Sequence, residues 1–341
     1  VAAAILSVLG LIAAVPMSMD AVQSAAARRT AALLAESQPK ITPLEGPITV
    51  ALQPGHWKID ELPAEQTRRK RGIGAVHAGV RELDINLAVV DALVPMIRRR
   101  GWTAIVVPAT VPPGLRADAF LSIHADWAAD PYRSGWKLAP PWRPSPAASG
   151  LAHALRRSFR EKAELREDVG GITVGMRGYF GFASHRYTHA SSPHTPAVLL
   201  ELGFVTNEGD RERMVSSPEY YAEIIMDGLE RHFYSWARAD VASLEPQVFD
   251  TLYAGVNGAV VRLTPESDSR ALLRLEAGRR VRPVDALQGW YEIRLRNPSV
   301  IGWVPSSELS PRVAAAPRAA DGPDDDSTTA DPRADDDGAD T

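Results

Sequence analysis

Between residues 48 and 236, short apolar runs alternate with stretches whose apolar residues recur at helical spacing, and this alternation constrains the fold more than any other feature. The runs ITVAL (48–52), TAIVVP (103–108), AFLSIHA (119–125) and AVLLELGF (197–204) have the length and hydrophobicity of buried strands. After the first, Leu83, Leu87, Val90, Val94 and Ile97 recur at helical spacing behind a polar start at Arg81 and Glu82, and RRRG at 98–101 closes the segment with cations and a glycine. Pro95 inside it predicts a kink or an early turn. Further helices are expected around 151–164 and 219–236, with a Gly- and aromatic-rich stretch, GMRGYFGF, between them. Strands alternating with helices imply an α/β layer with a mostly parallel sheet. Past a linker at 239–250 the texture changes to short β segments separated by turn residues, so 251–311 reads as a small all-β domain.

The two ends read differently. Residues 1–19 carry no charge before Asp20, which suits a signal peptide or a membrane anchor. Either one delivers the chain outside the cytoplasm, secreted or anchored to the membrane. An Ala-, Arg- and Ser-rich linker is expected over 20–46. Residues 321–341 hold nine Asp and one Arg, a local −8 against −4 for the whole chain, which leaves +4 for the rest. With no large apolar residue there, 312–341 reads as a disordered acidic tail. The basic residues of the body are mostly Arg and scattered, so no nucleic-acid face is expected. The chain contains no cysteine, which excludes disulfides, thiolate metal sites and a cysteine nucleophile. Any metal must be held by His, Asp or Glu.

Four residues break the pattern around them. Pro54-Gly55 ends the first strand and sets His56 at its C-terminal end, where α/β proteins gather functional groups. Glu82 opens the first helix, whose dipole favours a carboxylate. His124 emerges from the apolar run FLSIHAD at the same sheet edge. Glu201 lies inside the hydrophobic run LLELGF, where a carboxylate is costly unless paired, metal-bound or protonated. Two histidines and one glutamate from separate elements, with a position left open for water, form the His₂Glu zinc set used in hydrolysis. Zinc lowers the pKa of water to about 7, and a nearby carboxylate can take its proton and pass it to a leaving amine. Glu201 is the candidate for that second role. His185 and His189 are four apart and would face one another only on a helix, which Ser191, Ser192 and Pro193 argue against.

The segments QPGH (53–56), ELDINL (82–87), SIHAD (122–126) and ELGFVTN (201–207), in this order, resemble the zinc-dependent N-acetylmuramoyl-L-alanine amidases of the amidase_3 type over residues 48–236. The resemblance implies a mixed sheet flanked by helices, Zn2+ bound by His56, Glu82 and His124, and a catalytic Glu201. It implies cleavage of the amide between the muramoyl lactyl group and L-alanine of peptidoglycan. The chain departs from the family in two residues: Gln53 stands where the family usually has Asp, and Trp57 where it has Gly. The stretch ATVPPGLRAD is also short where many relatives carry an extra helix. Trp57 beside a metal ligand could wall the site or bind sugar, and His189 could line the substrate groove.

The β domain resembles bacterial SH3 domains over 258–309, through Gly-Trp-Tyr-x-Ile and Gly-Trp-Val-Pro. An SH3-like barrel is therefore expected after the α/β layer, with Trp290, Tyr291 and Trp303 as a platform for cell-wall peptide or glycan, or as its core. The leading expectation is a monomeric extracytoplasmic peptidoglycan amidase. A non-catalytic wall-binding protein and a zinc exopeptidase are the alternatives.

Overall fold

A computed structural model describes residues 41–311 apart from 297. The apolar segment 1–19, most of the 20–46 linker and the acidic tail lie outside the described residues. The described residues from Glu45 onward form one compact unit.

Its first part follows the alternation in the sequence. Strand β1 (Thr49–Pro54) leads through two 3₁₀ turns and a small hairpin, β2 (Val76–His77) and β3 (Val80–Arg81), into helix α1 (Glu82–Arg99). Then come β4 (Thr103–Val106), β5 (Ala119–Asp126), β6 (Lys137–Ala139), α2 (Pro146–Lys162), a single turn α3 (Val174–Arg177), β7 (Ala197–Phe204), α4 (Glu208–Ser216) and α5 (Pro218–Ser235). The sheet order is β4-β1-β5-β7-β6. The first four strands of that order are parallel, and β6 runs antiparallel to β7. The short β6 and the separate α4 have no clear periodic signal and were not expected from the sequence. Of the kink or early turn expected at Pro95, the early turn does not occur, since α1 runs on to Arg99. Pro95 is exposed, so the carbonyl left without its N–H partner can meet water, while Leu93 and Ile97 on the other side are fully buried.

Strand alternation sorts the sheet's two faces. Val50, Leu52, Leu121, Ile123, Val198 and Leu200 share one core with α1, α2 and α5. The intervening residues Ala51, Phe120, Ala197 and Leu199 face the other way and are covered by Met176 and Phe182 from the α3 region. All three long helices thus pack against one face, and the second face is closed by irregular chain. His124, two residues on from Ser122, and Glu201, two on from Leu199, belong to that second face. A register irregularity between His124 and Asp126 disturbs the ladder where the site begins.

The C-terminal part is all-β, as the turn-rich texture implied. It comprises β8 (Leu252–Ala254), β9 (Ala259–Arg262), β10 (Ala271–Leu275), β11 (Arg280–Val281), β12 (Pro283–Leu287), β13 (Trp290–Arg296), β14 (Ser299–Pro305) and β15 (Leu309–Ser310). They form a five-stranded sheet, β10-β9-β14-β13-β12, and a three-stranded one, β11-β8-β15, around Val261, Leu275, Ile293 and Val304. Among the described residues no helix is long and apolar enough to cross a membrane.

Candidate active site

The turn after β1 fixes the first histidine. His56 has φ 65°, a left-handed conformation unusual for a side chain of this size. Its Nδ1–H donates to the Gly72 carbonyl at 2.5 Å, which fixes the tautomer, because a carbonyl can only accept. Nε2 therefore points at Glu82, 3.0 Å from Oε1. Two glycines make room. A Cβ on Gly55 would lie 2.4 Å from the His124 ring, and one on Gly74, at φ 88°, would lie 3.0 Å from His56 and 3.1 Å from Glu82.

Glu82 is the buried hub of the cluster. Its Oε2 accepts from Ala75 N–H at 2.8 Å and its Oε1 from Ala125 N–H at 3.2 Å, while His124 Nδ1 lies 2.9 Å from Oε1. Burial alone would raise its pKa, but the hydrogen bonds with His124 and His56 outweigh that and hold the carboxyl well below the usual range. At His56 burial would lower the pKa, and the Glu82 carboxylate outweighs it and raises it. The ligand atoms of His56, Glu82 and His124 all lie within 4.8 Å of one another. With its proton fixed on Nδ1, a neutral His56 turns a lone pair toward a carboxylate oxygen. That contact is repulsive unless a proton or a cation sits between the two atoms. Two imidazoles and a carboxylate form a donor set suited to zinc, so the residues fit that ion. Asn86, fully buried one helical turn from Glu82, reaches back to the Gly55 carbonyl at 3.3 Å and ties helix to turn.

Glu201 faces the same cleft. It sits opposite His124 in the β5–β7 register, and a cleft of about 640 Å³ is lined by His56, Glu82, His124, Asp126, Tyr179 and Glu201, among others. Its Oε2 is shut off from solvent and has no hydrogen-bond partner. Burial, followed by the negative charges of Glu82 and Asp126, pushes its pKa well above the carboxylate range against the pull of Lys137. A carboxyl so placed favours its protonated form more than an exposed one does.

The remaining sequence candidates stand apart from this cleft. Trp57 is half-buried in the turn after His56, with the Lys58 ammonium 5.6 Å from its ring, and is not among the cleft-lining residues. His189 lies in non-helical chain, as expected, with Nδ1 2.8 Å from Glu65. Trp290 and Tyr291 are half-buried, Tyr291 edge-on to Phe249 at 5.9 Å, and Trp303 is 7% exposed.

Three further residues belong to the neighbourhood, of which the sequence marked only Gln53, as a departure from the family pattern. Tyr179 lines the cleft, with its ring 5.7 Å from that of His124, and donates its hydroxyl to Gln53 Oε1 at 2.7 Å. Lys137, 2% exposed, pairs with Asp126 and lies opposite Glu201 on β6. Gln53 is fully buried beneath the site. It accepts from Tyr179 and from Ser122 Oγ at 2.9 Å and donates to the Pro108 carbonyl at 2.9 Å. An aspartate there could not make that last bond, which gives a reason for the departure from the family pattern.

Residues 50–231 match the family of N-acetylmuramoyl-L-alanine amidases. The chain is similar to three solved structures of such enzymes, among others. With AmiC2 of Nostoc punctiforme the identity is 19%, the TM-score 0.39, and the match covers 56% of this chain and 99% of that one. With an amidase of Clostridium difficile 630 the values are 17%, 0.42, 57% and 100%. With Ami1 of Mycobacterium abscessus, in its apo form, they are 20%, 0.40, 55% and 98%. No curated protein matches the chain.

Proposed function

This chain belongs to the N-acetylmuramoyl-L-alanine amidase family, and on that premise we propose how its own residues carry out the hydrolysis. The substrate is peptidoglycan, and the bond cut joins the muramoyl lactyl carbonyl to the nitrogen of L-alanine. His56, Glu82 and His124 are the residues that would hold zinc. Bound zinc would supply Lewis acidity that polarises the amide carbonyl and makes water nucleophilic at neutral pH.

Glu201 is the proton carrier. As carboxylate it takes a proton from the attacking water while the water oxygen adds to the carbonyl carbon. When the carbon–nitrogen bond breaks, the same carboxyl delivers its proton to the alanine nitrogen, leaving a free lactyl acid and a free amine. A raised pKa suits both halves of this duty. Gly72 holds His56 in its tautomer, and Ala75 and Ala125 orient Glu82, so that the ligand atoms are arranged before substrate arrives. The observation that carries the reading is a single cleft holding both the converged His56, Glu82 and His124 atoms and the unpartnered Glu201 oxygen.

We read the β unit as an SH3-like domain that binds the wall through Trp290, Tyr291 and Trp303, with Trp57 and His189 adding contacts beyond the cleft. The family's substrate implies action outside the cytoplasm. Delivery or anchoring through 1–19 and a monomeric state complete the proposal. The full chain should bind close to one zinc per molecule and release stem peptides from purified peptidoglycan, with products identified by mass spectrometry. Glu201→Gln should keep the metal and lose at least 100-fold in kcat, and His124→Ala should lose the metal. Normal turnover by Glu201→Gln would refute the proton-carrier role.

A further inference from the structure

The wall of the catalytic cleft is held from outside the α/β layer. Thr173, Gly175, Met176 and Tyr179 line the cleft, and the turn α3 within that segment ends at Arg177, which points the other way. Arg177 Nη2 donates to Glu292 Oε1 of β13 at 2.5 Å, with both side chains at most 4% exposed. The guanidinium groups of Arg177 and Arg294 lie 5.4 and 5.3 Å from the ring of Trp142, and the Trp142 backbone N–H donates to the Arg177 carbonyl at 3.1 Å. Thr173 and Glu292 also line a second cavity, of about 380 Å³, between the layer and the β unit. The segment 173–177 is thus a partition between the cleft and the seam.

The pair is an expensive way to join two surfaces. Arg177 Nε and Nη1 and Glu292 Oε2 are buried with no hydrogen-bond partner, and an apolar pair of similar volume commonly stabilises a fold as well or better. What a buried ion pair adds is direction, since it fixes one guanidinium against one carboxylate. Tyr179, two residues beyond Arg177, carries that constraint to the site through its contact with His124 and its bond to Gln53.

We propose that Arg177 is a positioning residue, and that its ion pair with Glu292 makes the β unit part of the catalytic apparatus by holding residues 173–179 in place as the cleft wall. The inference rests on the amidase reading, because the wall is assigned to that reaction.

The test uses the full chain and the variants Glu292→Gln, Arg177→Lys and the double variant Arg177→Met/Glu292→Leu. Kinetics on a soluble muropeptide, zinc content, melting temperature and hydrogen exchange at 173–179 are measured together. Glu292→Gln should retain zinc, exchange faster at 173–179 and lose about tenfold in kcat/KM, mainly through KM. Arg177→Lys, which keeps a cation opposite Glu292, should show a smaller loss of the same kind. The double variant, free of buried charge, should regain the wild-type melting temperature while its KM stays raised. Wild-type KM and exchange in both folded Glu292→Gln and the double variant would overturn the proposal. A wild-type chain without amidase activity would instead count against the amidase reading, and exchange at 173–179 would still report on the brace.

Discussion

At the scale of the residue, the site depends on groups that bear no chemistry themselves. Gln53 satisfies two hydroxyls and a carbonyl from three different segments, and every one of its polar atoms is used. Gln53→Leu keeps the volume and strands Ser122, Tyr179 and Pro108, at a cost of about 3 kcal/mol. Denaturant unfolding should show that loss, with zinc binding retained in the folded protein. The four residues that the fold brings to one cleft each stand out in the sequence by their place: a histidine after Pro-Gly, a glutamate at a helix start, a histidine and a glutamate in apolar strands. Tyr179 and Lys137 do not, since tyrosine and lysine look ordinary until their partners are known, and Gln53 stands out only as a departure from the family pattern. The Tyr179–Gln53 bond spans 126 positions.

Elements carry a second kind of constraint, the cost of burying a titratable group on a packed helix. His232 of α5 is 2% exposed, stacked on Trp236 with an interplanar angle of 11°, and its Nε2 has no partner. Burial lowers its pKa to about 4, against a weak opposing pull from Asp118. The fold thus holds the neutral ring. Above pH 6.5 neither state is protonated and nothing is lost. As pH falls from 6.5 toward 4 the unfolded chain takes up a proton that the folded one refuses, so stability drops through that window by about 3 kcal/mol and this contribution levels off below it. His232→Phe should flatten that part of the curve, measured as the difference in melting temperature from wild type between pH 7 and 4. The sequence placed the helices and strands well because their cores are periodic. It missed β6, whose three residues are too few to show a period, and of the kink or early turn expected at Pro95 the early turn does not occur, because solvent can supply the missing bond.

In the whole molecule, the α/β layer and the β unit meet through polar groups taken out of water. Besides Arg177 and Glu292, Ser149 Oγ donates to Asp285 at 2.6 Å and Gln247 of the connection donates to Asp285 at 3.3 Å, while Arg160 and Glu266, both solvent-exposed, pair at 2.9 Å. Asp285→Ala removes the acceptor shared by Ser149 and Gln247 and should cost about 2 kcal/mol at the seam. Calorimetry should then resolve two transitions where the wild type gives one, and proteases should cut the 236–250 connection faster. The sequence by itself determined the order of elements and the change of texture after 239, and it proposed His56, Glu82, His124 and Glu201 as the site. Hydrophobic period and misplaced polar residues are local properties of a chain. Only the tertiary structure decided that the long helices share one face, that irregular chain closes the other over the site, and that a segment of this wall is pinned by Glu292. Those facts depend on contacts such as Arg177 with Glu292, 115 positions apart, which no local pattern encodes.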